Sequence, residues 1–157
     1  LAVLVNSFGS SVVSVGREVG LDVVLNKAQV SQGVKVANIC AASLIGIVGS
    51  GTHGTAVIML DDGGFKAVVS AMSGGMIAAS LDDPVSMSVI GELSNMVSGR
   101  SLIQASLAGV DVTPPQLIVG DNIQNVPAQT ADVKCFTLPF SLKPAGVLYL
   151  VLSFNAA

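Results

Sequence analysis

The chain is poor in aromatic and in charged side chains. Among its 157 residues there is no tryptophan, one tyrosine and five phenylalanines, and charged residues make up 11% of the total. Its seven basic residues are spread along the sequence, and the formal net charge is -3. Binding of a nucleic acid needs clustered basic residues, and single strands also need aromatic side chains on which bases stack. We therefore expect no nucleic-acid partner.

Long hydrophobic runs are also missing. Although 51% of the residues are hydrophobic, no stretch reaches the roughly 18 consecutive apolar residues that a membrane span needs. Short runs of Val, Ile, Leu and Ala are instead broken by Gly, Ser or a charge. This composition predicts a compact globular fold without membrane insertion, and the length fits a single domain covering residues 1–157.

Cysteine is scarce, and the two copies are far apart. Cys40 and Cys135 lie in separate apolar segments, at a spacing that resembles neither a CxxC motif nor a set of metal ligands. We expect two free thiols rather than a disulfide, which suits the reducing cytoplasm and predicts a cytoplasmic protein. We expect no cofactor of its own, since the sequence contains no Walker A, HExxH, EF-hand or GxSxG spacing.

Several polar motifs have ordinary structural interpretations. Gly49, Gly51 and Gly54 spell GxGxxG, but the following residues 55–60 read as a strand, whereas a dinucleotide site needs a helix there. A hairpin turn is the better interpretation, with His53 in solvent. The acidic pairs at 61–62 and 82–83 stand where helix caps belong, so capping is favoured over metal binding.

The order of predicted elements favours an α+β fold with an antiparallel sheet. A helix is expected over residues 1–19, strands over 22–29, 34–48 and 55–60, and a short helix from 61 to a stop at Gly74 and Gly75. A long helical region follows, then an extended segment at 111–120 that contains Pro114 and Pro115, then an irregular loop at 121–131. Strands at 132–142 and 146–154 end the chain.

A weak internal repeat predicts a pseudo-twofold arrangement of helix plus strands. Residues 8–11 resemble residues 90–93, and a Gly-Arg pair follows each. In the better register Glu92 aligns with Ser10 and Asn95 with Val13; a shift of one residue pairs them with Gly9 and Val12. In either register the first copy lacks the acid and the amide.

The stretch 88–100 combines an apolar face with a polar one. At about 100° per residue, the residues Val89, Ile90, Leu93, Met96 and Val97 fall on one arc, and Ser88, Glu92, Asn95 and Gly99 fall on the opposite one. Arg100 would return to the buried arc, so we expect a kink or break at Gly99, after which Leu102, Ile103 and Leu107 form a second apolar stripe.

Two segments, 91–100 and 109–120, resemble the CheX branch of the CheC/CheX/FliY family of chemotaxis phosphatases. The family's pattern of Ser or Asp, three residues, Glu, two residues and Asn is matched by Ser88, Glu92 and Asn95, and its Thr-Pro-Pro segment is matched at 113–115. The resemblance implies a CheC-like fold in which long helices pack on an antiparallel sheet.

The resemblance further implies hydrolysis of the phosphoaspartate of a phosphorylated CheY-like response regulator, which brings its own Mg²⁺. Asn95 would then orient the attacking water, Glu92 would bind the regulator's lysine, and Ser88, Gly91 and Gly99 would contact the partner. It also implies a homodimer and one active face per chain.

Other interpretations stay open at this stage. The chain could be a non-catalytic adaptor that binds a response regulator or a flagellar switch component. It could be a small-molecule binding domain, although no convergent polar set is visible. The regulator could also belong to a signalling system other than flagellar chemotaxis.

Overall fold

A computed structural model describes residues 2–49, 51–124 and 133–155. Its helices are α1 (Ala2–Glu18), α2 (Asp62–Ser73) and α3 (Pro84–Ala105). Its strands are β1 (Asp22–Leu25), β2 (Ser31–Gln32), β3 (Ala41–Gly49), β4 (Thr52–Leu60), β5 (Asp111–Val112), β6 (Gln116–Val119), β7 (Val133–Lys143) and β8 (Val147–Asn155). The order confirms the predicted α+β class, and no helix in these ranges is long and apolar enough to cross a membrane.

The strands form one antiparallel sheet. Its order is β1-β7-β8-β4-β3-β5, with β2 also paired to β7 and β6 also paired to β3. Two hairpins occupy the centre: β3–β4, which contains the GxGxxG segment, and β7–β8. They meet through the pairing of β4 with β8. The turn interpretation of the glycine-rich segment is thereby confirmed.

The pairing pattern has the predicted pseudo-twofold symmetry. Each half consists of a long helix, two short edge strands and a hairpin: α1, β1, β2 with β3–β4, and α3, β5, β6 with β7–β8. In each half, however, the edge strands pair with the other half's hairpin. β1 and β2 run along β7, whereas β5 and β6 run along β3. This exchange ties the two halves into a single sheet.

The main core lies between one face of the sheet and the helices. Alternate residues of the central strands point into it, and α1 and α3 contribute the apolar faces that their periodicity predicts. Its fully buried large side chains include Phe8, Phe65, Phe140, Phe154, Leu60, Ile90, Leu148 and Leu150. Burial of each is worth about 1.5–3 kcal/mol, so this face holds the helices in place.

The opposite face of the sheet carries a smaller cluster, and it explains where the strand prediction failed. Residues 34–48 were expected to form one strand, but β3 begins only at Ala41. Val34 and Val36 instead pack beside Ile39 on that second face. The strand expected at 22–29 similarly ends at Leu25 and gives way to a 3₁₀ turn. The loop predicted at 121–131 lies largely outside the described residues.

Both acidic pairs contain a helix cap, as predicted. The Asp61 carboxylate accepts hydrogen bonds from the backbone N–H of Gly64 at 2.7 Å and of Val147 at 2.9 Å, so it caps α2 and ties that helix to β8. Asp83 accepts from the N–H of Val85 at 3.0 Å and begins α3. Cys40 and Cys135 are free thiols, and both are half-buried.

Candidate functional site

Helix α3 runs through Gly99 without interruption. Its 22 residues extend from Pro84 to Ala105, so the predicted break at Gly99 is wrong. The prediction assumed that Arg100 could not face the interior. In the structure, Nη1 of Arg100 donates to Oγ of Ser14 at 3.2 Å, and its guanidinium forms an ion pair with Glu18. Because α1 supplies partners for the charge, the helix has no need to end.

The periodicity predicts the exposed face of α3 correctly and its buried face in part. Of the predicted apolar arc, Val89 and Met96 are only half-buried, and the buried face also includes the small residues Gly91, Ser94, Ser98 and Ser101. Ile90, Leu93 and Val97 are buried in the core. Glu92 and Asn95 are exposed on the opposite side, one helical step apart. Residues three apart on a helix have Cβ atoms about 5–6 Å from each other, so the acid and the amide form one compact polar patch.

Neither side chain of the pair has a partner in the part of the chain that the structure describes. Within the described residues, Glu92 and Asn95 make no hydrogen bond and no ion pair. The carboxylate can therefore accept hydrogen bonds or pair with a cation from outside. The carboxamide presents both an acceptor oxygen and a donor nitrogen, so it can bind a water and an anion together.

The three other predicted site residues occupy different environments. Ser88 is exposed, and its Oγ donates to the carbonyl oxygen of Val85 at 2.7 Å. Gly99 is half-buried and lies four residues after Asn95 on the same side of α3. A Cβ atom there would meet no heavy atom within 4 Å apart from chain neighbours and its own helix backbone. Gly91 is buried instead, so it does not share the surface that Glu92 and Asn95 form.

Gly91 packs α3 on the segment that carries the second half of the resemblance. A Cβ atom at Gly91 would lie 3.4 Å from Leu117 and 3.5 Å from the ring of Pro115. That segment is anchored in turn by Thr113. Its N–H donates to the carbonyl of Gly46 at 2.9 Å, and its Oγ1 accepts from the N–H of Gly46 at 2.8 Å. The Thr-Pro-Pro segment therefore links β5 to β6 and supports α3 beneath the polar patch.

Helix α1 presents the equivalent face without the pair. A shift of 82 positions superimposes the buried residues of α1 on those of α3: Phe8 on Ile90, Gly9 on Gly91, Ser11 on Leu93 and Val15 on Val97. In this register Ser10 stands where α3 has Glu92, and Val13 stands where it has Asn95. Burial thus selects the register that aligns Glu92 with Ser10.

Two features of the region could not be read from the local pattern. The predicted second apolar stripe at 102, 103 and 107 is only partly correct: Leu102 and Leu107 are half-buried, but Ile103 is 80% exposed. The contacts of Arg100 with α1 likewise join residues more than 80 positions apart.

Among the described residues, no group of three His, Cys, Asp or Glu side chains could hold a metal ion.

The sequence matches the family model of the chemotaxis phosphatase CheX over residues 41–141, a range that contains both the polar patch and the Thr-Pro-Pro segment. The chain belongs to the CheX family. It is 32% identical over 114 residues to the CheY-P phosphatase CheX of Thermotoga maritima, an alignment that covers 66% of this chain and 72% of that protein.

Solved structures confirm the fold. A CheC-like superfamily protein from Shewanella sp. PV-4 superimposes with a TM-score of 0.85 at 23% identity, covering 99% of each chain. The CheX–CheY–BeF₃–Mg²⁺ complex from Borrelia burgdorferi contains a chain that matches with a TM-score of 0.71 at 19% identity, covering 96% of this chain and 97% of that one. At these identities the likeness establishes the CheC-like architecture.

Proposed function

We propose that this protein hydrolyses the phosphoaspartate of a CheY-like response regulator and that Glu92 and Asn95 are its catalytic residues. The observation that carries the proposal is an exposed acid and amide, free of partners in the described chain, on a helix whose opposite face is fully packed. The Thermotoga maritima relative is a CheY-P phosphatase, and the Borrelia burgdorferi complex pairs a CheX with CheY.

The chemistry asks for a well-placed water rather than a strong base. A phosphoaspartate is an acyl phosphate, whose carboxylate is already a good leaving group, so phosphoryl transfer depends mainly on positioning and charge neutralisation. Water attacks phosphorus, the bond to the aspartyl oxygen breaks, and inorganic phosphate and the free carboxylate are released. Mg²⁺, which is present in the Borrelia burgdorferi complex, would come with the regulator and neutralise phosphoryl charge.

Asn95 suits the positioning of that water. Its carboxamide oxygen accepts a hydrogen bond from the water while its nitrogen donates towards a phosphoryl oxygen. Both bonds hold the water in line with the breaking bond without any change of protonation. The side chain stands on a helix held by Leu93 and Val97 in the core, so the geometry is set before the partner arrives.

Glu92 would bind the regulator's active-site lysine. It precedes Asn95 by three residues, which corresponds to an axial rise of about 4.5 Å on the same face. A charge-assisted hydrogen bond from the lysine to this carboxylate would place Asn95 over the phosphoryl group. Ser88 and Gly99 flank the pair and complete the contact surface, whereas buried Gly91 would act by keeping α3 close to Pro115.

One active face per chain follows from the difference between the repeats. The equivalent face of α1 has Ser10 and Val13, and Oγ of Ser10 donates to Gln104 at 3.0 Å. At the two positions that correspond to Glu92 and Asn95, α1 therefore has neither an acid to bind a lysine nor an amide to hold water. The homodimer that the resemblance implies stays a prediction.

The deciding experiment replaces Asn95 by alanine. We expect Asn95→Ala to lower kcat for dephosphorylation of the cognate receiver domain by about 100-fold or more, since loss of a positioned water removes much of the proximity effect. The melting temperature should not change, because the side chain is exposed. Phosphate loss from the receiver domain is followed with Mg²⁺ present.

Asn6→Ala is the matched control, because it removes an exposed asparagine from the equivalent helix α1. It should leave kcat at the parent value. Dephosphorylation by Asn95→Ala at the parent rate would show that the roles are wrongly assigned. Binding of the regulator without any loss of phosphate by the parent protein would instead indicate the adaptor function.

A further inference from the structure

The two repeats differ at the end of their long helices as well as at the polar pair. In the register that aligns their buried faces, the last residue of α1, Glu18, corresponds to Arg100. Helix α3 continues to Ala105, so residues 101–105 have no helical counterpart in the first repeat. This extension adds about 7.5 Å to the helix that carries Glu92 and Asn95.

Ile103 lies on this extension and is unusually exposed. Its side chain is 80% accessible, although isoleucine is among the residues most often buried. Steps of four residues lead from Asn95 through Gly99 to Ile103, so all three share one stripe of the helix. Ile103 therefore stands about 12 Å along the axis from Asn95, and the glycine between them leaves the path open.

Helix α3 has an exposed apolar residue near each end, and the aligned positions of the first repeat show whether each one is shared by both repeats. Val85 is 53% exposed, but its counterpart in α1, Val3, is 59% exposed, so this feature is common to both repeats. The counterpart of Ile103 is Leu21, which is only 4% exposed because it belongs to the core. Ile103, in the part of α3 that extends past the aligned end of α1, is thus exposed where the first repeat has a core residue.

We propose that Ile103 is a docking residue for the phosphorylated receiver domain, an apolar contact at the rim of the surface whose centre is the polar pair. This inference rests on the proposed function. A standard interface covers about 800 Å² per partner, which corresponds to a disc of about 16 Å radius, so a partner centred on Asn95 also covers Ile103. The polar pair then supplies orientation, and removal of the isoleucine side chain from water adds to affinity.

The test separates binding from chemistry. Ile103→Gln keeps a helix-forming residue of similar length but removes the apolar surface. The probe is the CheY-like receiver domain that the parent protein dephosphorylates, used with Mg²⁺ both as the phosphorylated substrate and as the inert beryllofluoride form. We expect Kd for the beryllofluoride form and KM for the substrate to rise about tenfold, with kcat retained.

Val3→Gln is the matched control, since it makes the same kind of change at an exposed apolar residue of α1. It should leave Kd, KM and kcat at the parent values, and both variants should melt with the parent. An unchanged Kd in Ile103→Gln, or a lower kcat with KM retained, would overturn the docking role. Because the beryllofluoride form is not hydrolysed, the Kd reports on Ile103 independently of the Asn95→Ala result that tests the phosphatase assignment.

Discussion

Replacement of Gly99 by alanine tests the surface of α3 through two measurements. The free energy of unfolding should rise, whereas kcat/KM for dephosphorylation should fall. Gly99 lies inside a continuous helix, four residues after Asn95, and its backbone is not among the glycines with positive φ. A Cβ atom there would meet no heavy atom within 4 Å apart from chain neighbours and its own helix backbone. Alanine is therefore accepted by the fold without strain.

The expected gain in stability follows from helix propensity. Glycine in a helix interior is destabilising by about 0.5–1 kcal/mol relative to alanine, chiefly through the entropy of the unfolded chain. With open space at the site, Gly99→Ala should raise the free energy of unfolding by that amount. For a chain of this length, the melting temperature should rise by about 2–4 °C for each kcal/mol.

Gly16→Ala provides the contrast within the same protein. A Cβ atom at Gly16 would lie 2.5 Å from Cγ2 of Val23 and 3.3 Å from the carbonyl oxygen of Leu21. Overpacking of this kind costs about 1–3 kcal/mol, so this variant should be less stable than the parent. Urea denaturation of both variants measures the two free energies of unfolding.

The second measurement is dephosphorylation of the receiver domain. If Gly99 is present so that the partner can approach beside Asn95, the added methyl group should raise KM and lower kcat/KM although the protein is more stable. A lower free energy of unfolding for Gly99→Ala than for the parent would contradict the open space around Gly99 in the helix. A stabilised variant with unchanged kcat/KM would show that the partner does not contact Gly99.

Two further predictions concern residues away from this surface. Asp61→Ala should lower the free energy of unfolding by about 2 kcal/mol, because the N–H groups of Gly64 and Val147 both lose their acceptor; urea denaturation measures the loss, and parent-like stability would contradict it. Burial, with the carboxylates of Asp62 and Asp61, raises the pKa of the Cys40 thiol. Alkylation of Cys40 by iodoacetamide at pH 8 should therefore be slower than alkylation of glutathione. Its rate should still increase with pH in the range where the rate for free cysteine has reached its plateau. Equal rates for Cys40 and glutathione would contradict the raised pKa.

The features that were predicted correctly are local ones. The exposure of Glu92 and the burial of Leu93 follow from a period of 3.6 residues, which a short segment is enough to specify. The caps at Asp61 and Asp83 depend only on the first turn of each helix. The alignment of Glu92 with Ser10 was found from a few matching residues, and the burial of both helices supports it.

The features that were missed depend on residues distant in sequence. The break at Gly99 was predicted because Arg100 would return to the buried arc. Its partners Ser14 and Glu18 belong to the other repeat, so the local sequence does not show that the charge is satisfied. The late start of β3 at Ala41 depends on the second face of the sheet, which needs a covering segment. A hydrophobic pattern alone does not distinguish such a covering segment from a strand.

The amino-acid sequence by itself determined that Glu92 and Asn95 share the exposed face of α3, where that helix begins, and that the acid and the amide occur in one repeat alone. These properties need only local geometry, since capping and helical periodicity act within a few residues. The tertiary structure decided the exchange of edge strands between the halves, the packing of Gly91 on Pro115 and the exposure of Ile103. Each of these depends on which distant segments come together when the sheet forms, and that outcome is set by packing over the whole chain.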